Sequence, residues 1–188
     1  STSKYIWDIY SGYIDPLAFE KTDIIIHLAG AGVFAKSWSA KNREEIIESR
    51  VKSTELLLSS LSSTKHQVKT IVSASAIGLY GMNTKEALCH ESTPKGDGFL
   101  AKVVEEWESK LNQFETTSIR SVILRIGIVL STKGGALKQL CTPIHNYIGA
   151  PIGSGNQFVS WIHIDDLCKM ILYASENEKS KGTYTAVG

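Results

Sequence analysis

Two apolar runs that each drain into small residues, with an amphipathic helix between them, restrict what this chain can fold into more than any other feature. The first, DIIIHL at 23–28, is nearly continuous in aliphatic side chains and exits into Ala29, Gly30, Ala31 and Gly32. The second, VKTIVSASAIGLYG at 68–81, passes from Val68, Ile71 and Val72 into Ser73, Ala74, Ser75, Ala76 and Gly78, before Tyr80 and Gly81. Continuous rather than alternating hydrophobicity predicts strands covered on both faces. Between the runs, residues 40–62 set Ile47, Val51, Thr54, Leu58 and Leu61 at helical spacing, with Lys41, Arg43, Glu44, Glu48 and Lys52 on the other side. This predicts a helix of about six turns, N-capped by Ser39. Strand, helix and strand in that order make a right-handed crossover, so the strands run parallel and deliver their small residues to one edge. Ligands of open α/β sheets bind in the crevice beyond that edge, where a hydroxyl can orient them. A buried strand ending in a tight loop is the plainer alternative for 68–81.

The remaining segments fit around this unit. Residues 5–9 form a short β-like run, followed by a turn at Gly12, Asp15 and Pro16. A polar loop runs from Met82 to Gly98, and a helix at 99–114 carries a stripe of Leu100, Val103, Val104, Trp107 and Leu111. RSVILRIGIVL at 120–130 predicts a buried strand with Arg125 inside it. A buried arginine is costly unless paired, so Arg125 either reaches a carboxylate or backbone carbonyl near the site or merely marks the strand's end. From 131 to 161 the pattern turns irregular: Gly134 and Gly135, a short helix near 136–147, then Gly149, Pro151, Gly153 and Gly155. That stretch predicts an excursion over the sheet, where substrate would be held. Asp165 is expected to cap a helix reaching about 175, with Leu167, Ile171 and Ala174 inward, and 183–187 to form the last strand. The expected division is a Rossmann-like core at 1–130 and 163–188 and a substrate-binding excursion at 131–162.

Composition narrows the partners. With 43% hydrophobic and 21% charged residues the chain suits one globular α/β domain, and its 20 basic and 19 acidic residues, net +1, form no Lys/Arg block. Nucleic acid and membrane surfaces are poor partners for such a charge distribution. Cys89, Cys141 and Cys168 are odd in number and widely spaced, which predicts free thiols in a reducing compartment. No apolar run approaches the ~20 residues of a membrane span. A cytoplasmic soluble protein is the expectation.

Four stretches, in order, carry a resemblance: HLAG at 27–30, SASAIGLYG at 73–81, LRIGIVL at 124–130 and PIGSGNQFVSWIHIDDL at 151–167. They resemble the extended short-chain dehydrogenases/reductases, in particular the atypical subgroup described as nucleoside-diphosphate-sugar epimerases. The resemblance implies a three-layer Rossmann-like parallel sheet of order 3-2-1-4-5-6-7, NADP or NAD as cofactor and a sugar-nucleotide-like small-molecule substrate. It places Leu28, Ala29, Gly30, Ser73, Lys102 and Arg125 at the cofactor, Ser75 and Lys102 in the catalytic set, and Gln157 and Trp161 at the substrate; no metal is implied.

Two departures from that pattern matter. Family members begin with a strand, a Gly-rich phosphate loop and a helix, yet no GxxGxxG occurs in this sequence. Residues 5–9 resemble the family's third strand, so roughly 50 to 60 residues that would hold the pyrophosphate are absent, and the chain reads as an N-terminally truncated fragment. Little affinity for free dinucleotide is expected. The second departure is catalytic. Relatives use a YxxxK pair, and Lys102, set between Pro94 and Glu106, stands at the lysine; Gly98 then stands where the tyrosine would be. Glycine has no proton to exchange. Tyr80 is the substitute base nearest to Ser75 in sequence, with simple packing at the strand end as its alternative. An NAD(P)-dependent epimerase or oxidoreductase and a non-catalytic dinucleotide-binding or sensing protein therefore both remain open.

Three further expectations follow. Ser75, Ala29, Gly30 and Lys102 should line one crevice. Cys89, His90 and Glu91 suggest a nucleophile or a metal but read more simply as a solvated loop, and His163, Asp165 and Asp166 as part of a helix start. Without the family's first two strands, 23–28 becomes an edge with no protecting Pro, Lys or bulge. Either 5–9 pairs beside it or a second copy does, giving a homodimer.

Overall fold

A computed structural model describes residues 2–33, 37–150 and 154–188 of the chain. Its first elements are an antiparallel pair, β1 (Trp7–Asp8) and β2 (Tyr13–Ile14). The run at 5–9 thus yields only two strand residues, and they pair with Tyr13–Ile14 rather than beside 23–28. The cause is local. Asp8 Oδ1 accepts from the Tyr10 amide at 2.9 Å and Gly12 turns at φ 68°, so the chain folds back on itself at once. Ile14 and Phe19 then sink into a cluster with Leu57, Leu61, Ile71 and Phe114, and the Trp7 ring stacks 5.8 Å from His27.

The crossover forms as expected from β3 (Ile24–His27), α1 (Ala40–Ser63) and β4 (Thr70–Ala76), with Ile24 opposite Thr70 and His27 opposite Ser73 in a parallel pair. Next come α2 (Phe99–Leu111), β5 (Arg120–Ile126), β6 (Ile128–Ser131), β7 (Gly134–Gly135), α3 (Ala136–His145), β8 (Trp161–His163), α4 (Ile164–Glu176) and β9 (Gly182–Ala186). The main sheet has the order β3-β4-β5-β9, all parallel, and β7-β6-β8 make a second, smaller sheet. Helices α1 and α2 cover one face, and α4 covers the other through Leu167 and Ala174 against Val72, Val122, Leu124 and Ala186. The result is a three-layer, Rossmann-like α/β arrangement.

Three elements differ from what the sequence predicts. The strand at 120–130 breaks at Gly127, whose amide donates to Ala186 O at 3.0 Å while that of Ile128 donates to Ser160 O at 2.9 Å. A Cβ at Gly127 would meet Ser160 O at 2.9 Å and Val187 Cγ1 at 3.0 Å, so only glycine lets β6 leave the main sheet here. β3 is covered on one face only: Ile26 is 50% exposed and Ile24 is also exposed, because α4 lies over β4, β5 and β9 instead. His163, not Asp165, caps α4, its Nδ1 accepting from the Asp165 amide at 3.3 Å. Asp165 and Asp166 fall in the first turn, where the helix dipole favours carboxylates.

Helix α1 starts as predicted, with Ser39 Oγ accepting from the Asn42 amide at 3.3 Å. Its buried face, however, runs through Ile46, Ser53, Thr54, Leu57 and Leu61, leaving Ile47, Val51 and Leu58 half-buried. Ser53 and Thr54 can be buried because their hydroxyls donate back to Arg50 O at 3.0 and 2.8 Å. Their oxygens then face His27 Nε2, each at 3.3 Å. With both hydroxyl protons committed, Nε2 is assigned as the donor, and Nδ1 is left buried with no partner among the described residues. A proton on Nδ1 would have nowhere to go, and burial lowers the His27 pKa from 6.5 to about 4. A histidine depressed in the folded state contributes stability fully above the unfolded pKa and loses it as pH falls toward 4. Between pH 7 and pH 5 this amounts to roughly 2 kcal/mol. Urea unfolding across that range should show the loss, and His27→Asn should flatten it; equal slopes in the two proteins would refute the assignment.

Candidate functional site

The carboxyl ends of β3, β4 and β5 gather a cluster of buried polar side chains, among them His27, Ser73, Ser75 and Arg125. At the end of β3, Leu28 and Gly30 are exposed, Ala29 is half-buried and the Ala31 amide donates to Ser49 Oγ at 2.9 Å. At the end of β4, Ser73 is fully buried, and its hydroxyl points to the carbonyls of Ala74 (3.0 Å) and His27 (3.5 Å). Ser75, also buried, donates to Glu108 Oε1 at 2.5 Å. A short 3-10 turn, Ile77–Tyr80, then leads into the polar loop.

Arg125 is the hub of this edge. Its Nε and Nη2 bind Glu108 Oε1 and Oε2 at 2.9 and 2.8 Å, a bidentate pair in which both side chains are only 9% exposed. Nη1 donates to Tyr80 OH at 3.0 Å and to Glu91 O at 2.9 Å. Hydrogen bonding to Glu108 drives the Arg125 pKa above its ordinary value, so the guanidinium stays charged. Tyr80 OH also lies 3.4 Å from Thr185 Oγ1, and Glu91 Oε1 accepts from the Thr185 amide at 2.6 Å. The Glu91 carboxyl is held below the usual range by its own amide and that of Thr185. One guanidinium therefore ties α2, β4, β5, β9 and the 82–98 loop together. That loop is also pinned at its far end: the Gly96 amide donates to Leu79 O at 2.9 Å, and a Cβ at Gly96 would overlap the Tyr80 carbonyl oxygen.

Of the residues singled out from sequence, Ser75 and Arg125 meet on Glu108, and Tyr80 joins them through Arg125. Lys102 stands apart. It lies on the same side of the sheet as Ser75, since Ser75 bonds to α2, but its side chain is 66% exposed with Nζ 3.7 Å from Glu106. Ala29 and Gly30 are at the neighbouring strand exit, and no hydrogen bond among the described residues joins either of them to Lys102 or Ser75. Gly98 is the N-cap of α2 at φ 99°, a conformation that glycine adopts freely. Gln157 and Trp161 are exposed, Trp161 as the first residue of β8 in the smaller sheet; Gly153 falls outside the described residues. Cys89 packs against the Leu79, Tyr80 and Val104 cluster while the Glu91 carboxylate turns to Thr185. Sequence reasoning missed Glu108 and read Glu91 as part of a solvated loop, whereas its carboxylate and carbonyl hold Thr185 and Arg125. Glu108 was legible: it falls four residues after Val104, on the apolar stripe of α2, where a carboxylate needs a cation.

The model of the NAD dependent epimerase/dehydratase family matches residues 13–187. The chain belongs to that family. An epimerase family protein of Staphylococcus saprophyticus is 38% identical over 86% of this epimerase-family chain and 54% of its own length. One of Mycobacterium bovis is 32% identical over 97% of this chain and 60% of its own. The chain thus spans between half and two thirds of these relatives. Among solved structures, a human epimerase family protein with NADPH superposes at a TM-score of 0.81, with 30% identity over 89% of this chain and 57% of that one. A nucleoside-diphosphate sugar epimerase of Corynebacterium glutamicum gives 0.81 and 30% over 97% of this chain and 38% of that one.

The buried pair makes a stability prediction. Glu108→Ala leaves Arg125 charged and unpaired in the interior, which should cost about 3–5 kcal/mol. Replacing both partners, as in the double variant E108L/R125M, should cost less than Glu108→Ala alone. Urea denaturation measures both, and a double variant weaker than the single one would contradict this account.

Proposed function

We propose that this epimerase-family chain supplies the nicotinamide-facing and substrate-facing half of an NAD(P)-dependent epimerase or related oxidoreductase acting on a sugar-nucleotide-like substrate. The observation that carries the reading is the exit of β3, where Leu28 and Gly30 are exposed and Ala29 half-buried at the carboxyl edge of a parallel sheet. It is supported by the relatives at 30% identity, one solved with NADPH and one described as a nucleoside-diphosphate sugar epimerase. The fit to a dinucleotide is divided. The nicotinamide ribose fits the exposed backbone of Leu28 to Gly30, while the pyrophosphate finds no Gly-rich turn in this sequence. When bound, the dinucleotide supplies a hydride acceptor or donor.

The chain's own residues then orient the substrate. Ser75 gives its proton to Glu108, so toward a substrate hydroxyl it offers a lone pair. Ser73 and Arg125 act indirectly, by fixing the strand ends, since their polar atoms are already engaged. Lys102 provides a solvent-facing cation at the rim, and Gln157 and Trp161 an amide and an indole beside the smaller sheet. A second reading, a protein that holds the dinucleotide without turnover, is favoured by Gly98 at the position of the usual phenol. Tyr80 favours it too, its hydroxyl being held by Arg125 below the surface.

Calorimetry with NADPH and NADH tests both, on this chain and on the chain joined behind a Gly-rich strand–turn–helix segment of a relative, with folding checked by circular dichroism. No micromolar binding is expected for the chain alone, and binding is expected for the fusion. Turnover of nucleotide sugars by the fusion supports the first reading, binding without turnover supports the second, and a folded fusion that binds neither dinucleotide sinks both. The outer edge of β3 has no strand partner among the described residues. On that ground a homodimer through this edge is part of the proposal. Solution scattering should then give a particle of twice the chain mass, and a monomer at all concentrations would remove the dimer.

A further inference from the structure

Four arginines occur in the chain, and three of them account for themselves. Arg43 is exposed and lies over the Phe99 ring. Arg120 gives its guanidinium to the carbonyls of Ala174, Ser175 and Ser180, and Arg125 is paired with Glu108. Arg50 is the exception. It is half-buried, forms no ion pair among the described residues, and makes a single hydrogen bond, from Nη1 to Ile46 O at 3.0 Å in its own helix. Most of its five donors find no acceptor among the described residues. Burial alone lowers its pKa, with no neighbouring charge to offset the cost.

Its position is specific. A Cβ on Gly30 would lie 3.0 Å from Arg50 Cζ, so the guanidinium lies close against the backbone at the exit of β3, and glycine is what permits the approach. On its other side Cζ sits 5.3 Å from the centre of the Trp107 ring. Trp107 contributes an independent sign: its Nε1 is buried with no acceptor among the described residues. A guanidinium and an indole N–H, both short of acceptors among the described residues, are thus neighbours beside the exit of β3. Groups that only donate call for a ligand that only accepts, and a planar guanidinium fork matches an oxyanion best.

We infer that Arg50, lying over Trp107 and against Gly30, forms an oxyanion subsite that takes a carboxylate or phosphate group of the substrate held beside the dinucleotide at the exit of β3. The inference rests on the reading above and adds a substrate class to it: an anionic compound whose charged group reaches α1. The plain alternative is a cation–π contact that only fastens α1 to α2, which would stabilise the fold without responding to anions.

Titration of the uniformly 15N-labelled chain separates them. The Trp107 indole resonance, assigned by Trp107→Phe, and the Arg50 Nε resonance are followed with sodium phosphate, sodium acetate and sodium chloride at constant ionic strength. Saturable shifts with phosphate or acetate and none with chloride are expected; whichever of the two binds more tightly identifies the group. Affinity should fall about tenfold in Arg50→Lys, which keeps the charge and loses the fork, and vanish in Arg50→Gln. Linear shifts shared with chloride, or saturable shifts unchanged in Arg50→Lys, would overturn the subsite, and both readouts stand even if Arg50→Gln fails to fold. Repeating the titration on the fusion described above keeps the two readings apart. Dinucleotide binding without a saturable anion response sinks the subsite alone, whereas an anion response in a fusion that binds no dinucleotide sinks the functional reading and leaves the subsite.

Discussion

The pairing of Arg125 with Glu108 is the contact on which the carboxyl edge depends. A charge in the middle of a sheet is tolerated only when its partner is fixed in place, and here the partner comes from the helix that covers the sheet. The remaining donors of the guanidinium hold Tyr80 and the Glu91 carbonyl, so the 82–98 loop and β9 are positioned by the same group. The ends of the strands are ordered by a polar cluster, while the lower half of the sheet is ordered by apolar packing of Ile71, Leu57, Leu61 and Phe114. That division is physically sensible: small residues at a ligand-facing edge leave too little apolar area to hold it.

Much of this was legible in the sequence, because periodicity and local chemistry agree there. The crossover around β3, α1 and β4, the Ser39 cap and the burial of Val103, Val104, Trp107 and Leu111 all follow from residue spacing. What escaped depends on contacts between distant parts of the chain. Apolar run length cannot show that Gly127 faces Ser160, so 120–130 reads as one strand and is two. Nor does a run of isoleucines reveal that one of its faces has no helix above it, which is the case for Ile24 and Ile26. The buried face of α1 is turned because a histidine, itself packed under Trp7, favours hydroxyls opposite it. The candidate site was legible in its strands and only partly in its side chains: Arg125 announced a missing partner, and the spacing on α2 pointed to Glu108.

The family relationship and the site geometry bear on different questions. Similarity over 86% and 97% of this chain fixes the fold and its kinship. It leaves chemistry to the residues present. At the start of α2, Gly98 holds φ 99°, a conformation in which any side chain would be strained, so the way this helix begins depends on glycine.

The double anchoring of the 82–98 loop has a consequence for chain integrity. Leu79 and Gly96 close its base, and Arg125 and Thr185 grip Glu91 near its middle, while Met82, Asn83, Lys85, Glu86, Ala87 and Leu88 lie exposed between these holds. Cutting the backbone in that exposed arc would sever no contact that fastens the loop to the sheet. A protease-clipped molecule would remain one folded particle built from two peptides, and the gap between them would be a natural place to graft a reporter tag.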